Sequence, residues 1–139
     1  MADDRNSQTF RTMIEEVFNR GNLTALDGLF TPNFQEHQRD FNPPDLQGLK
    51  LQITSLRSAF PDLHLEFQEL AAIDCKTYAR LVALGTHLGN GLGIQPTGKT
   101  IRIEIIDICR YEGGKIAEHW GVADRLAMLQ QVGVIPPRR

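Results

Sequence analysis

Residues 100–123 read TIRIEIIDICRYEGGKIAEHWGVA, and the pattern of these residues is the starting point for predicting the fold. Aliphatic and polar side chains alternate through residues 100–111, which predicts a β-strand with two different faces. The Gly113-Gly114 pair predicts a tight turn, so residues 115–121 should form a second strand antiparallel to the first. A two-stranded hairpin is therefore expected near the end of the chain.

The same alternation occurs in the residues before the hairpin. Nearer the N-terminus, the spacing of the apolar residues changes from every second position to every third or fourth. Apolar residues alternate with polar ones over 63–68, and 79–88 is another strand-like run, so two further strands are predicted. Ahead of residue 61, apolar side chains recur every three or four positions, as on amphipathic helices. The predicted helices cover 10–18, a short segment 24–30, and 46–60; a last helix follows the hairpin from 124 to 132.

Local signals predict where these elements end. Thr24 and Asp27 have the spacing of a capping box, while Asp45 and Asp124 are placed as N-caps of the helices that follow them. Gly21 and Gly133 stand where left-handed C-terminal caps are expected. Residues 34–45 are polar and contain two prolines, which predicts a loop.

This order of elements indicates one α+β domain over residues 1–139, with the helices on one face of the sheet. A mostly antiparallel sheet that curves around the helices leaves a central pocket, which suits a small ligand. Length and composition fit a globular domain, since 41% of the residues are hydrophobic and 23% are charged.

The net charge and the hydropathy of the chain indicate which kinds of partner are not expected. The formal net charge is -2, which predicts no recruitment of nucleic acid or of an anionic membrane. No apolar run approaches the roughly 20 residues that span a bilayer, and residues 1–10 lack a secretory pattern. The two cysteines, Cys75 and Cys109, are expected to be small buried thiols in a reduced, cytoplasmic protein.

Asp107 is the first candidate for chemistry. The strand alternation places it on the same face as Ile101, Ile103 and Ile105. A carboxylate among aliphatic side chains is costly unless it is paired, and burial makes it more basic. Asp107 is therefore a candidate general base; the alternative is a structural carboxylate satisfied by a neighbouring histidine or amide.

His119 is the second candidate, because it lies across the hairpin from Asp107, which should fall near the level of His119 or Trp120. A contact between the two would hold one imidazole tautomer and raise its basicity, as general acid/base chemistry requires. The alternative is a structural histidine packed near Trp120. Arg110 and Glu118 should pair on the opposite face of the hairpin.

The other candidates would contact a ligand. His37, in the predicted loop, either touches substrate at the pocket rim or is merely solvated. His87 either lines the pocket or is structural, and Trp120 either stacks on substrate or serves packing or an interface. The predicted substrate-binding set is His37, Phe34, His87, Trp120 and Ile105.

No motif in the sequence indicates a metal or a cofactor. The four histidines are scattered singly, without HxH or HExxH spacing. Gly89, Gly91 and Gly93 join two strands and lack the lysine and helix of a phosphate-binding loop. A protein that needs no cofactor and no metal is therefore predicted.

Four stretches resemble SnoaL-like polyketide cyclases: EEVFNRGNLTALDGLFTPNF, AFPDLHLEF, ARLVALGTHLGNGLGIQPTGK and DICRYEGGKIAEHWGVADRL. They cover nearly the whole chain in the family's order and spacing. The resemblance implies a cone-shaped, cystatin-like α+β barrel with a deep pocket and a homodimer interface on the outer face of the sheet. It also implies ring closure of a polyketide by intramolecular aldol condensation, although other members are hydroxylases or isomerases.

The resemblance implies a catalytic aspartate two residues beyond the histidine of the last strand, where this chain has Gly121. A pocket histidine of the cyclases corresponds to Asp107. Two functions are therefore carried forward. One is a cyclase or isomerase that uses acid/base chemistry on a hydrophobic polyketide-like or terpenoid-like molecule; the other is a non-catalytic small-molecule-binding protein. A hydroxylase-type relative is a third.

Overall fold

The computed structural model describes residues 2–137. Five strands form one curved sheet, and helices cover one of its faces. In chain order the elements are α1 (Ala2–Thr12), a π-helical segment (Met13–Asn19), a 3-10 turn (Leu23–Ala25), α2 (Leu26–Leu29), β1 (Phe30–Glu36), α3 (Leu46–Ala59), β2 (His64–Ile73), β3 (Lys76–Thr86), β4 (Thr100–Glu112), β5 (Lys115–Ala123) and α4 (Arg125–Gln131).

The strand order in the sheet is β1-β5-β4-β3-β2. Strands β1 and β5 run parallel, and every other neighbouring pair is antiparallel. One hydrophobic cluster lies between the helices and the sheet, with Phe10, Ile53, Leu81 and Ile116 almost fully buried. The α+β class with a mostly antiparallel sheet is confirmed, and no helix within residues 2–137 is long and apolar enough to cross a membrane.

The local signals for the hairpin turn and for two helix N-caps are confirmed. Gly113 and Gly114 both have positive φ, 58° and 78°, and join β4 to β5. Asp45 accepts a hydrogen bond from the Gly48 amide at 3.1 Å, and Asp124 accepts one from the Ala127 amide at 3.0 Å. Each aspartate satisfies a backbone N–H in the first turn of its helix, which has no partner within the helix.

The prediction of a loop over residues 34–45 is wrong at its start. Residues Phe30–Glu36 form β1, an edge strand whose pairing with β5 is parallel. Pro32 fits this strand because an edge position does not require every backbone N–H to donate. The sequence hides β1 because its partner lies more than 80 residues away, whereas the polar residues and prolines that follow it are a strong local signal.

The capping box predicted at Thr24 and Asp27 is also wrong. Residues 23–25 form a 3-10 turn, and its N-cap residue, Asn22, makes no side-chain capping bond. The Thr24 hydroxyl donates instead to Oδ1 of Asn22 at 2.7 Å. The helix predicted over residues 24–30 is therefore a 3-10 turn followed by the four residues of α2.

Strands β2 and β3 are longer than predicted, since they continue to a two-residue turn at Asp74 and Cys75. Both turn residues have positive φ, 52° and 62°, which matches the twist of a tight hairpin. Cys75 is consequently exposed, so the expectation of two buried thiols is wrong for this residue. Cys109, on β4, is buried as expected.

Candidate active site

A cavity lies between the helices and the inner face of the sheet. The cavity is open to solvent at its mouth, and a concave, largely apolar site of this kind suits a small organic molecule. Most of its lining is aromatic or aliphatic, and the polar side chains occupy a few places. The predicted ligand contacts Phe34 and Ile105 both line it, as do Asp107 and His119.

A β-bulge in β5 brings Asp107 and His119 to the same side of the sheet. Tyr111 pairs with Ile116, but Arg110 pairs with Glu118, so Ala117 is an extra residue in β5. Without the extra residue, the two-residue turn would place Trp120 opposite Asp107 and direct His119 to the outer face. The sequence predicted the two strands correctly and contained no signal for this bulge.

His119 bridges two carboxylates. Its Nε2 donates to Oδ1 of Asp107 at 2.7 Å, and its Nδ1 donates to Oε1 of Glu36 at 2.6 Å. Burial lowers the pKa of His119, but the Asp107 charge and the hydrogen bonds from both ring nitrogens outweigh it and raise the pKa to about 10. The imidazole is therefore protonated at neutral pH, and neither ring nitrogen is free to take a proton.

Asp107 presents one oxygen to the cavity. The residue is 8% exposed and shares its face of β4 with Ile101, Ile103 and Ile105, as the alternation predicted. Among residues 2–137, only His119 donates a hydrogen bond to this carboxylate, at Oδ1. Oδ2 is therefore available to a molecule in the cavity, which is the arrangement expected of a general base.

Glu36 is a site residue that the sequence analysis missed. It comes from β1, opposite His119 in the register, and its side chain is fully buried. Its Oε1 also accepts a hydrogen bond from the backbone N–H of Gln38 at 2.9 Å. Phe34 and Glu36 are two positions apart, so both lie on the same face of β1. Had β1 been predicted as a strand, the two side chains would have been expected on the same side of the sheet.

The mouth of the cavity carries a second polar group, which the sequence analysis also missed. Gln38 donates from Nε2 to Oδ2 of Asp40 at 2.8 Å, and Arg125 pairs with Oδ1 of Asp40 at 3.3 Å. All three residues line the cavity. They connect the loop after β1 to the start of α4 and so form a polar rim around an apolar interior.

His37 and Trp120 lie on the outer face of the sheet and do not line this cavity. Their rings stack with centroids 4.9 Å apart, and Nε2 of His37 donates to Oε2 of Glu118 at 2.8 Å. Nε of Arg110 donates to Oε1 of Glu118 at 2.6 Å, which confirms the ion pair predicted on this face. The arrangement favours the packing or interface alternative for Trp120.

His87 also lies outside the cavity lining. It is fully buried just beyond β3, where its Nδ1 is 3.0 Å from the Thr97 hydroxyl and its ring packs near Phe60. These contacts tie the loop between β3 and β4 to the body of the domain. They favour the structural alternative that the sequence left open for this histidine.

Residues 8–132 match the family model described as SnoaL-like polyketide cyclase. The chain belongs to this family. The resemblance that the sequence motifs indicated is therefore confirmed, and it spans nearly every element of the SnoaL-like fold described above.

Two cyclases and one solved structure illustrate the relationship. Aklanonic acid methyl ester cyclase DnrD of Streptomyces peucetius is 31% identical over 103 residues, 73% of this chain and 70% of the relative. The corresponding cyclase DauD of Streptomyces sp. strain C5 is 30% identical over 88% of this chain and 78% of its own length. AclR of Streptomyces galilaeus, described as a candidate hydroxylase, superposes with a TM-score of 0.86 at 26% identity, covering 99% of this chain and 86% of AclR.

Gly121 is a feature of this SnoaL-like site with a clear physical reason. It lies directly opposite Asp107 in the register, and a Cβ added there would collide with the side chains of Gln38, Asp107 and His119. Even an alanine requires these side chains to shift, because each has an atom within 3.0 Å of the added Cβ. The space at position 121 is thus occupied by the Gln38 amide and the Asp107 carboxylate.

Proposed function

We propose that this SnoaL-like protein is a cofactor-independent cyclase or isomerase that uses Asp107 as its general base. The observation that carries the proposal is the Asp107 carboxylate itself. It lies among isoleucines in an apolar cavity, one oxygen is bonded to a buried, protonated His119, and the other accepts no hydrogen bond from residues 2–137. A carboxylate held in this way is positioned to take a proton from a molecule bound in the cavity.

The proposed step is an aldol-type ring closure. Oδ2 of Asp107 takes a proton from a carbon next to a carbonyl group, and the electron pair of that C–H bond becomes the enolate. The enolate carbon attacks a second carbonyl of the same molecule, which forms a C–C bond and leaves an alkoxide. Asp107 returns its proton to the alkoxide, so the product is an isomer of the substrate.

His119 has a different role in this proposal from the one the sequence predicted. Both of its ring nitrogens already donate to carboxylates, so it does not exchange a proton with the substrate. Its positive charge orients Asp107 and offsets the negative charge that develops on the enolate. Asp107 carries out the proton transfers, and His119 supports it electrostatically.

The substrate class follows from the lining of the cavity. An aromatic and aliphatic interior with carboxylates at one place fits a hydrophobic, oxygenated molecule of polyketide-like or terpenoid-like character. The names of DnrD and DauD supply the first compound to test, aklanonic acid methyl ester. Phe34 and Ile105 are expected to contact its rings.

The test compares turnover of this ester by the wild-type protein and by Asp107→Asn. The amide keeps the shape of the carboxylate but is a far weaker base, so kcat should fall by about 10²–10⁴-fold while binding persists. Glu104→Gln is the matched control, because it neutralises an exposed carboxylate on the outer face of the same strand. Equal turnover by wild type and Asp107→Asn would exclude Asp107 as the base.

Non-catalytic ligand binding is the second candidate function, and Gly121 favours it. The family resemblance implies a catalytic acid at this position, and the position carries no side chain here. Tight binding of the ester by the wild-type protein with no product would support this function. A product heavier by one oxygen atom, formed with oxygen uptake, would instead support a hydroxylase like the one proposed for AclR.

The proposed assembly is a homodimer formed through the outer face of the sheet. Ile106 and Val122 are register partners on this face and are 49% and 72% exposed, and Tyr78 is 41% exposed on neighbouring β3. Trp120 lies beside them. Apolar side chains grouped on one exposed face are more typical of an interface than of a solvated surface.

A further inference from the structure

The second carboxylate at His119, Glu36, has no part in the proton transfers described above. We propose that Glu36 is a positioning residue: it anchors Nδ1 of His119, so that the Nε2–H stays on Asp107 and the imidazole keeps its charge beside the reacting atoms. The proposal rests on the proposed function of Asp107 as base. Its evidence is separate, because it concerns the opposite side of the imidazole ring.

The geometry around Glu36 leaves the imidazole little freedom. Glu36 and His119 are register partners on parallel strands, and the His37 amide donates to the His119 carbonyl at 2.9 Å. The Glu36 amide donates to the Pro44 carbonyl at 3.0 Å, which anchors the end of β1 on its other side. With a bond at each ring nitrogen, the imidazole cannot rotate without breaking a charged hydrogen bond.

The burial of Glu36 indicates that its charge has a purpose beyond packing. The side chain is fully buried, and its Oε2 has no hydrogen-bond partner among residues 2–137. A buried carboxylate with an unbonded oxygen is destabilising unless a nearby positive charge offsets it. His119 supplies that charge, so Glu36 and His119 form a buried ion pair.

The ionisable groups that face His119 come from two strands besides its own. They are Glu36 on β1 and both Asp107 and Cys109 on β4. Burial raises the pKa of the Cys109 thiol well above its ordinary value, so the thiol is neutral at neutral pH. Removing the Glu36 charge should therefore make His119 lose its proton at lower pH.

The same pair of strands carries a matched pair of residues on the outer face. His37 directly follows the last residue of β1, and its Nε2 donates to Oε2 of Glu118 on β5 at 2.8 Å. The His37 side chain is 40% exposed. This pair has the same chemistry as Glu36 and His119 but lies outside the cavity. Glu118→Gln is thus a control that neutralises a histidine-bound carboxylate without touching the proposed site.

The experiment follows His119 by ¹⁵N-detected imidazole NMR and kcat for aklanonic acid methyl ester across the same pH range. In Glu36→Gln, the His119 titration and the alkaline limb of kcat should move together to lower pH, by roughly one unit or more. Glu36→Asp keeps the charge and should restore part of the shift. Glu118→Gln should move neither.

The proposal is overturned if His119 titrates in Glu36→Gln as it does in wild type, or if kcat falls equally at all pH values. If Glu36→Gln does not fold, Glu36→Asp decides instead, because its shortened carboxylate should shift the titration part of the way and an unshifted titration contradicts the proposal. If wild type turns over no ester, the proposed reaction fails, but the NMR titration still decides whether Glu36 controls His119.

Discussion

The carboxylate of Asp107 occupies space that a side chain at Gly121 would need, because the two residues face each other directly across β4 and β5. The residue type at one position therefore depends on the residue type at the other. A glycine at 121 lets the Asp107 carboxylate reach His119, and the same carboxylate must shift if a larger residue stands at 121. The pair forms one structural unit at the site.

Gly121→Ala should destabilise the fold. The added methyl group would collide with Gln38, Asp107 and His119, and relieving an overpacked site typically costs about 1–3 kcal/mol. Urea denaturation would measure the change in the free energy of unfolding. Gly28→Ala is the control, since a Cβ there meets nothing within 4 Å and helical glycines usually gain stability as alanine. Equal stability of Gly121→Ala and wild type would show that the site relaxes easily.

The stability of the protein should decrease as pH rises above neutrality. The pKa of His119 is about 10 in the folded protein and about 6.5 in the unfolded chain, so the folded state binds the extra proton between these values. The contribution of His119 is complete below about pH 6.5 and is lost towards pH 10, with a slope of at most about 1.4 kcal/mol per pH unit. Urea denaturation between about pH 6.5 and 7.5 stays below the ordinary pKa of a cysteine thiol, so Cys109 contributes little to the change in either state.

His119→Gln provides the comparison for this pH dependence. The variant should be less stable than wild type at pH 6.5, because two buried carboxylates lose their cation. Its free energy of unfolding should then vary less with pH over the same range. Parallel pH profiles for the two proteins would contradict a protonated, buried His119.

The proposed dimer predicts which surface substitution changes the mass in solution. Val122→Lys places a charge at the centre of the exposed apolar group on the outer sheet face and should produce monomers. Leu51→Lys is the control, because Leu51 is 51% exposed but lies on α3, away from that face. Light scattering after size-exclusion chromatography measures the mass. A wild-type protein that elutes with the mass of a single chain would exclude the dimer.

Local sequence signals predicted much of the site and of the fold. The alternation in β4 was sufficient to place Asp107 among isoleucines, and Gly113 with Gly114 was sufficient to predict the hairpin. Asp45 and Asp124 were recognisable as caps because their partners lie three residues away. In each case the residues that decide the structure are neighbours in the sequence.

The features that the sequence did not reveal depend on distant partners. Glu36 reaches His119 only because β1 pairs with β5, and no residue near Glu36 indicates that pairing. The bulge at Ala117 shifts the register by one residue, and alternation alone does not show which strand carries the extra residue. Without the bulge, His119 would face the outer side of the sheet, so the site depends on one inserted residue.

The most direct test of the proposed role of Asp107 is proton exchange into a bound ester. Aklanonic acid methyl ester is incubated in D₂O with wild type, Asp107→Asn or Glu104→Gln, and deuterium at carbons next to carbonyl groups is followed by NMR and mass spectrometry. Wild type and Glu104→Gln should incorporate deuterium into ester that has not yet closed, because an enolate that returns to substrate takes a solvent-derived deuteron from Asp107, while Asp107→Asn should bind the ester and incorporate none above background. Incorporation at the wild-type rate by Asp107→Asn, or no incorporation by wild type, would contradict Asp107 as the base.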